Sequence, residues 1–209
     1  MDCKYDQIDR IIGPGIHTPT TARSWPLCRL PTERLSERIM RHLHQLCRTQ
    51  LVGSPLPEVF AFFSDASNLE ALTPAFLHFR ILTPMPIEMR AGAQLDYQLS
   101  LFGIPVRWRT RITDWQPGQR FVDEQESGPY ALWRHTHEFE GRGTSTLVRD
   151  VVDYCEPLGP LGAVAHVLFV RRTLDRIFDF RRDAIARLLD PRARPPADAK
   201  RARSGGDAA

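Results

Sequence analysis

A chain of 209 residues, 42 % of them hydrophobic, has material for one domain with a real core and extensions to spare. Its formal charge of +3 is too small to argue for nucleic acid, and its most apolar run, GAVAHVLFV, is too short to span a bilayer. Cys3, Cys28, Cys47 and Cys155 form no CxxC pair and no zinc-finger spacing, and the polar N-terminus lacks an apolar signal core, so the expectation is a cytoplasmic protein with reduced thiols.

Residues 1–40 show no sustained pattern. IIGPGIHTPTTARSWP is loop-like, and PTERLSERIMRHL is a short helix candidate through Leu35, Ile39 and Leu43. The ordered domain is expected over 41–189. It begins with a strand in HQLCRTQLV, and two short helices follow in SPLPEVFAFFSDASNLEALTP, broken near Asp65 to Asn68. Six strand candidates come next: LHFRILTP, AQLDYQLSLFG, IPVRWRTRITDW, QRFVDEQE, YALWRHTHEFE and STLVRDVVDYCEP. Leu95, Tyr97, Leu99 and Leu101 share one face. Val106, Trp108, Thr110 and Ile112 oppose Arg107, Arg109 and Arg111, as a half-wetted antiparallel sheet requires. FGIP, QPGQ, ESGP and EGRGT supply turn chemistry.

The last element runs from Leu161 to Leu189. Leu161, Val164, Leu168, Leu174, Ile177, Phe178, Arg181, Ile185 and Leu188 form its core-facing stripe, and an unbroken helix of that length reaches roughly 40 Å. Its arginines alternate with Asp175, Asp179 and Asp183, which favours pairing within the helix; weak peripheral contact with anionic lipid, helped by the KRAR of the tail, is a minor alternative. Residues 190–209 have almost nothing to bury and form a basic tail expected to be disordered. The fold class is α+β: a curved seven-stranded antiparallel sheet wrapped around a long C-terminal helix. A curved sheet gripping one helix leaves a space suited to a small molecule.

LWRHTHEFE concentrates the chemistry. In a strand, Trp133, His135, His137 and Phe139 share one face. Across the EGRGT turn, Val148, Asp150, Val152 and Tyr154 share a face of the next strand, so His135 or His137 can meet Asp150. That makes His135, His137 and Asp150 the catalytic candidates, as a general base with its orienting carboxylate. The plainer reading has both histidines hydrogen-bonded inside the sheet, with Asp150, Tyr154 and Gln125 as partners. A metal site needs a third ligand; Asp150, Asp123 and His166 are available, but no pattern brings them into register, so neither metal nor cofactor is expected. The facing of Asp123 in FVDEQ is ambiguous. It points outward if it pairs with Arg109 or Arg111.

PLPEVFAFFSDASNLEALTP, TPMPIEMRAGAQLDYQLSLFGIPVRWRTRI, RFVDEQESGPYALWRHTHEFE and GTSTLVRDVVDYCEPLGPLG together resemble the START-like or Bet v 1-like (SRPBCC) superfamily, in its bacterial polyketide cyclase/dehydrase-like branch. The resemblance covers about residues 42 to 189. It implies a helix-grip fold enclosing a cavity for an apolar or amphipathic ligand. Its members include lipid carriers, quinone-binding proteins and a few cyclases, and some are joined to epimerase-like partners. The expected function is therefore binding of a hydrophobic small molecule such as a lipid, quinone or polyketide, as carrier or sensor. One alternative is a cyclase or dehydratase with a His–Asp pair; another is an interaction module for an oxidoreductase-like protein. The expected ligand contacts are Tyr97, Leu99, Trp108, Phe121, Trp133, His135, His137, Phe139, Asp150, Tyr154 and Leu168. No nucleic acid and no stable membrane insertion are expected.

Overall fold

Short turns between residues 94 and 155 leave the chain little choice but to fold back on itself strand by strand. In the computed structural model, which describes residues 43–157 and 169–189, the strands are β1 (His44–Val52), β2 (Arg80–Ile81), β3 (Gln94–Leu101), β4 (Ile104–Gln116), β5 (Arg120–Ser127), β6 (Leu132–Arg142) and β7 (Ser145–Cys155). They form one antiparallel sheet in the order β1-β7-β6-β5-β4-β3-β2. The β3–β4 hairpin closes in two residues, Phe102 and Gly103, both at positive φ, which matches the twist of the flanking strands. Register shifts between Arg109 and Thr110 and between Ile112 and Asp114 interrupt the β4–β5 ladder, a device that bends a sheet.

Between β1 and β2 lie helix α1 (Leu56–Phe63) and 3-10 turns at Ala66–Leu69 and Ala75–Leu77. The second short helix expected from sequence is thus a single 3-10 turn, with Asp65 accepting from the Ser67 backbone N–H at 2.9 Å at its start. LHFRILTP contributes only Arg80 and Ile81 to the sheet. Helix α2 (Arg171–Leu189) crosses the concave face. Leu174 and Phe178 pack with Leu46, Val152 and Tyr154, while Ala184 and Ile185 join a second cluster containing Val59, Phe63, Ile112 and Phe139. Full burial of side chains such as Ile112 or Ile185 stabilises by roughly 1.5–3 kcal/mol each. Leu188, expected in the same stripe, is 39 % exposed, while its neighbour Leu189 packs against the cluster containing Val59 and Phe63.

Edge strand β1 ties down the helix. Arg48 Nη2 donates to Asp175 Oδ1 at 2.5 Å, Gln50 Nε2 donates to the Arg182 carbonyl at 3.0 Å, and buried Ser54 Oγ donates to the Leu189 carbonyl at 2.5 Å. On the convex face Arg109 pairs with Asp96 and Arg111 with Glu126, the solvated outer face the alternation predicts. Residues 31–42 of the PTERLSERIMRHL helix candidate, Cys3, Cys28, Leu161, Val164, His166, Leu168 and the basic tail lie outside the described residues.

Candidate functional site

Three neighbouring strands aim four polar side chains at one place. Pairing of β5 with β6 sets Phe121 opposite His137 and Asp123 opposite His135; pairing of β6 with β7 sets His137 opposite Asp150. Asp123 therefore points inward. Its neighbours are the histidines and not Arg109 or Arg111, whose side chains leave the other face.

The contacts form a closed ring. His135 Nε2 and Asp150 Oδ1 are 3.1 Å apart, and His137 Nδ1 lies 2.7 Å from that same oxygen. The second contact is a close ion pair whose direction falls short of an aligned hydrogen bond. His137 Nε2 hydrogen-bonds Asp123 Oδ2 at 3.2 Å, and His135 Nδ1 is 3.6 Å from that oxygen. The imidazole centroids are 3.8 Å apart, and the His137 ring stacks on Phe121 at 4.3 Å. Gln125, an expected partner, instead bonds both backbone groups of Tyr130.

Burial and mutual charge set the electrostatics. Burial pushes the Asp150 carboxyl up, but the His137 charge and the hydrogen bonds of both histidines overcome it and hold Asp150 well below the usual carboxylate range. Asp123 is lowered against its own burial by the His137 hydrogen bond and by the charges of His135, His137 and Arg181. The two imidazoles diverge. Burial and the neighbouring His137 lower His135, whereas Asp150 and Asp123 outweigh burial and raise His137.

Beside this ring opens a cavity of about 170 Å³ between the concave sheet and α2. Asp123, His135, His137 and Arg181 line its polar end; Leu95, Tyr97, Leu99, Trp108, Phe121, Tyr130, Trp133, Leu174 and Phe178 line the rest. Burial and the Asp123 charge hold the Tyr97 phenol well above its ordinary range, so it stays a hydrogen-bond donor. Two wall donors, Trp108 Nε1 and Arg181 Nε, are buried and have no hydrogen-bond partner among the described residues. Such a donor costs about 1–3 kcal/mol until something accepts from it.

Of the residues expected to touch a ligand, Tyr97, Leu99, Trp108, Phe121, Trp133, His135 and His137 reach the cavity. Asp150 does not, because it sits behind the histidines. Phe139 packs against Phe60 and Phe63, and Tyr154 against Tyr130 and Trp133, so both are packing residues. Asp123, whose facing the sequence leaves ambiguous, and Arg181, which helical spacing puts on the core-facing stripe, both line the cavity as well.

Residues 52–181 match the family model described as polyketide cyclase / dehydrase and lipid transport. The chain belongs to this family. Its helix-grip fold is that of START superfamily structures. The Zhui aromatase/cyclase from Streptomyces sp. R1128 is similar at 15 % identity and a TM-score of 0.56, covering 80 % of this chain and 100 % of that one. A START superfamily protein from Mycobacterium smegmatis is similar at 16 % identity and a TM-score of 0.53, covering 70 % and 99 %. Part of a nucleoside-diphosphate sugar epimerase from Corynebacterium glutamicum is similar at 22 % identity and a TM-score of 0.50, covering 68 % of this chain and 28 % of that one. At these identities the likeness is one of fold. Among curated proteins none matches. No helix among the described residues is long and apolar enough to cross a membrane.

Proposed function

We propose that this family member binds a flat, apolar, oxygen-bearing molecule in its cavity and moves protons on it, as aldol-type ring closure and dehydration require. The observation that carries this reading is the opening of two carboxylate-linked imidazoles, His135 and His137, onto an aromatic-walled cavity. A carrier needs polar groups to orient a head group, but not a ring of two imidazoles and two carboxylates.

The hydrogen bonding supports one division of roles. With its Nε2 proton directed to Asp150, His135 keeps a lone pair on Nδ1 and takes a proton from the carbon next to a ligand carbonyl. His137, with a carboxylate at each ring nitrogen, carries the proton delivered to a departing hydroxyl. The unpartnered donors of Trp108 and Arg181 take the carbonyl oxygen as charge develops on it. Positioned acid–base groups of this kind contribute roughly 10²–10⁴ in rate. The cavity is about the size of one that holds a benzene-sized guest (~150 Å³), so it suits one or two fused rings and not a long acyl chain.

The test uses the full chain and β-tetralone, a two-ring ketone. Proton NMR in deuterium oxide follows loss of the signal next to the carbonyl. Wild-type protein accelerates the exchange at least about a hundredfold over buffer, and His135→Ala abolishes the gain. Saturable binding with no exchange replaces this reading with the carrier reading. Absence of both binding and exchange defeats the two together.

A further inference from the structure

We propose that Asp123, His135 and His137 form a binding site for one divalent first-row transition ion, zinc or ferrous iron. The inference concerns the same cavity as the acid–base reading but does not rest on it: an ion held by His135 Nδ1 and His137 Nε2 takes up the lone pairs that reading leaves free, and the site is argued from geometry. One ligand atom from each residue falls within 4.8 Å of the others. Asp123 Oδ2 is 3.2 Å from His137 Nε2 and 3.6 Å from His135 Nδ1. Two ligand bonds of about 2.1 Å meeting at roughly 90–110° separate their donor atoms by about 3.0–3.4 Å, so both carboxylate–imidazole pairs lie near ligand spacing, and closing on an ion requires the two imidazole donors, within 4.8 Å of each other, to draw together.

A second observation is independent of those distances. The far nitrogen of each imidazole, Nε2 of His135 and Nδ1 of His137, faces the same oxygen of Asp150 at 3.1 and 2.7 Å. Histidines that ligate metals almost always turn their other nitrogen to a carboxylate or carbonyl, which fixes the tautomer and the ring orientation. Asp150 does this for two histidines at once, and it has no access to the cavity, so orientation is the role left to it.

Two imidazoles and one carboxylate favour zinc or iron over magnesium and calcium, which prefer all-oxygen sites. Neither cysteine among the described residues contributes: Cys47 and Cys155 belong to other parts of the sheet. Asp123, His135 and His137 all line the cavity, so the open side of the triad faces the space where a ligand carbonyl or hydroxyl would sit. The class of ligand narrows accordingly to molecules that present an oxygen donor at the edge of an aromatic or alicyclic ring. With the ion in place the imidazoles serve as ligands, and the ion polarises that oxygen.

The full chain, stripped with a chelator, is titrated with cobalt(II) as a spectroscopic probe and with zinc by calorimetry, with no organic ligand present. The expected result is one equivalent of either ion and visible cobalt d–d bands without the thiolate charge-transfer bands that cysteine ligation gives. Asp123→Ala and His135→Gln each weaken uptake at least tenfold, and Asp150→Asn weakens it tenfold to a hundredfold while circular dichroism stays unchanged. Wild-type protein that takes up no stoichiometric ion, thiolate bands, or uptake indifferent to Asp123→Ala and His135→Gln overturns the assignment. Uptake without β-tetralone exchange keeps the site and removes the reaction. Exchange by protein that binds no ion does the reverse.

Discussion

Asp123 stands directly opposite His135 in the β5–β6 ladder, so a carboxylate and an imidazole from neighbouring strands leave the sheet on the same side. That pairing places an acidic group on the cavity wall, where β-tetralone would meet it. Asp123→Asn keeps the shape and removes the charge. It is expected to lower proton exchange on β-tetralone by at least tenfold, read by proton NMR, and to change stability by less than about 1.5 kcal/mol in urea melts. An unchanged exchange rate would take Asp123 out of the chemistry.

Asp150 has the opposite profile, since both of its imidazole contacts are buried. Asp150→Ala leaves those contacts unanswered and is expected to cost about 3–5 kcal/mol in urea unfolding, whereas Asp150→Asn costs less. A loss under about 1 kcal/mol for the alanine variant contradicts the ring.

The same carboxylate sets a dependence on acidity. Its folded pKa lies below its unfolded value, so in the acid range the unfolded chain binds the extra proton. The stability it contributes is fully present above the unfolded value near about 4 and is lost as pH falls through the folded one. Urea midpoints measured from neutral to strongly acid solution should fall more steeply in wild type than in Asp150→Asn. Parallel curves would refute the assignment.

The face of LWRHTHEFE and the meeting of His137 with Asp150 were legible because the short EGRGT stretch, which closes through Gly143 and Thr144, leaves the β6–β7 hairpin little freedom of register. Asp123 was not legible. In β5 both Phe121 and Val122 are buried, so alternation does not announce which face is inside, and the irregular β4–β5 ladder breaks the count from the preceding strand. The signal that was present is Phe121 itself, two residues away on the same face and stacked on His137. Arg181 follows the same logic. Helical spacing put it between Phe178 and Ile185, and only the cavity beneath that turn gives a charged residue there a use. Phe139 and Tyr154 share the inward face but lie where the sheet and its helices close together, so facing alone could not separate wall from core.

Trp108 offers a test of ligand contact independent of the histidines. Trp108→Phe keeps an aromatic ring in the wall and removes the indole N–H that has no partner. Affinity for β-tetralone is expected to drop about fivefold to tenfold in equilibrium dialysis, with a thermal midpoint equal to or above wild type. A variant that binds as tightly as wild type would show that this N–H does not serve the ligand.

Leu99 lines the cavity on β3, away from the charged ring. Leu99→Trp places an indole into a space of about 170 Å³. β-Tetralone affinity should fall at least tenfold while stability shifts by less than about 1.5 kcal/mol, because the added atoms occupy open volume. Undiminished binding would move the ligand out of this cavity.

The polar ring is built from β5, β6 and β7, whereas Leu95, Leu99, Trp108, Leu174 and Phe178 come from β3, β4 and α2. Polar ring and apolar wall thus come largely from different strands, joined through the β4–β5 ladder, with Phe121 and Trp133 of β5 and β6 contributing to the wall as well. Replacing Leu95, Leu99 or Leu174 therefore recontours the room a guest would occupy while leaving Asp123, His135, His137 and Asp150 in their mutual register.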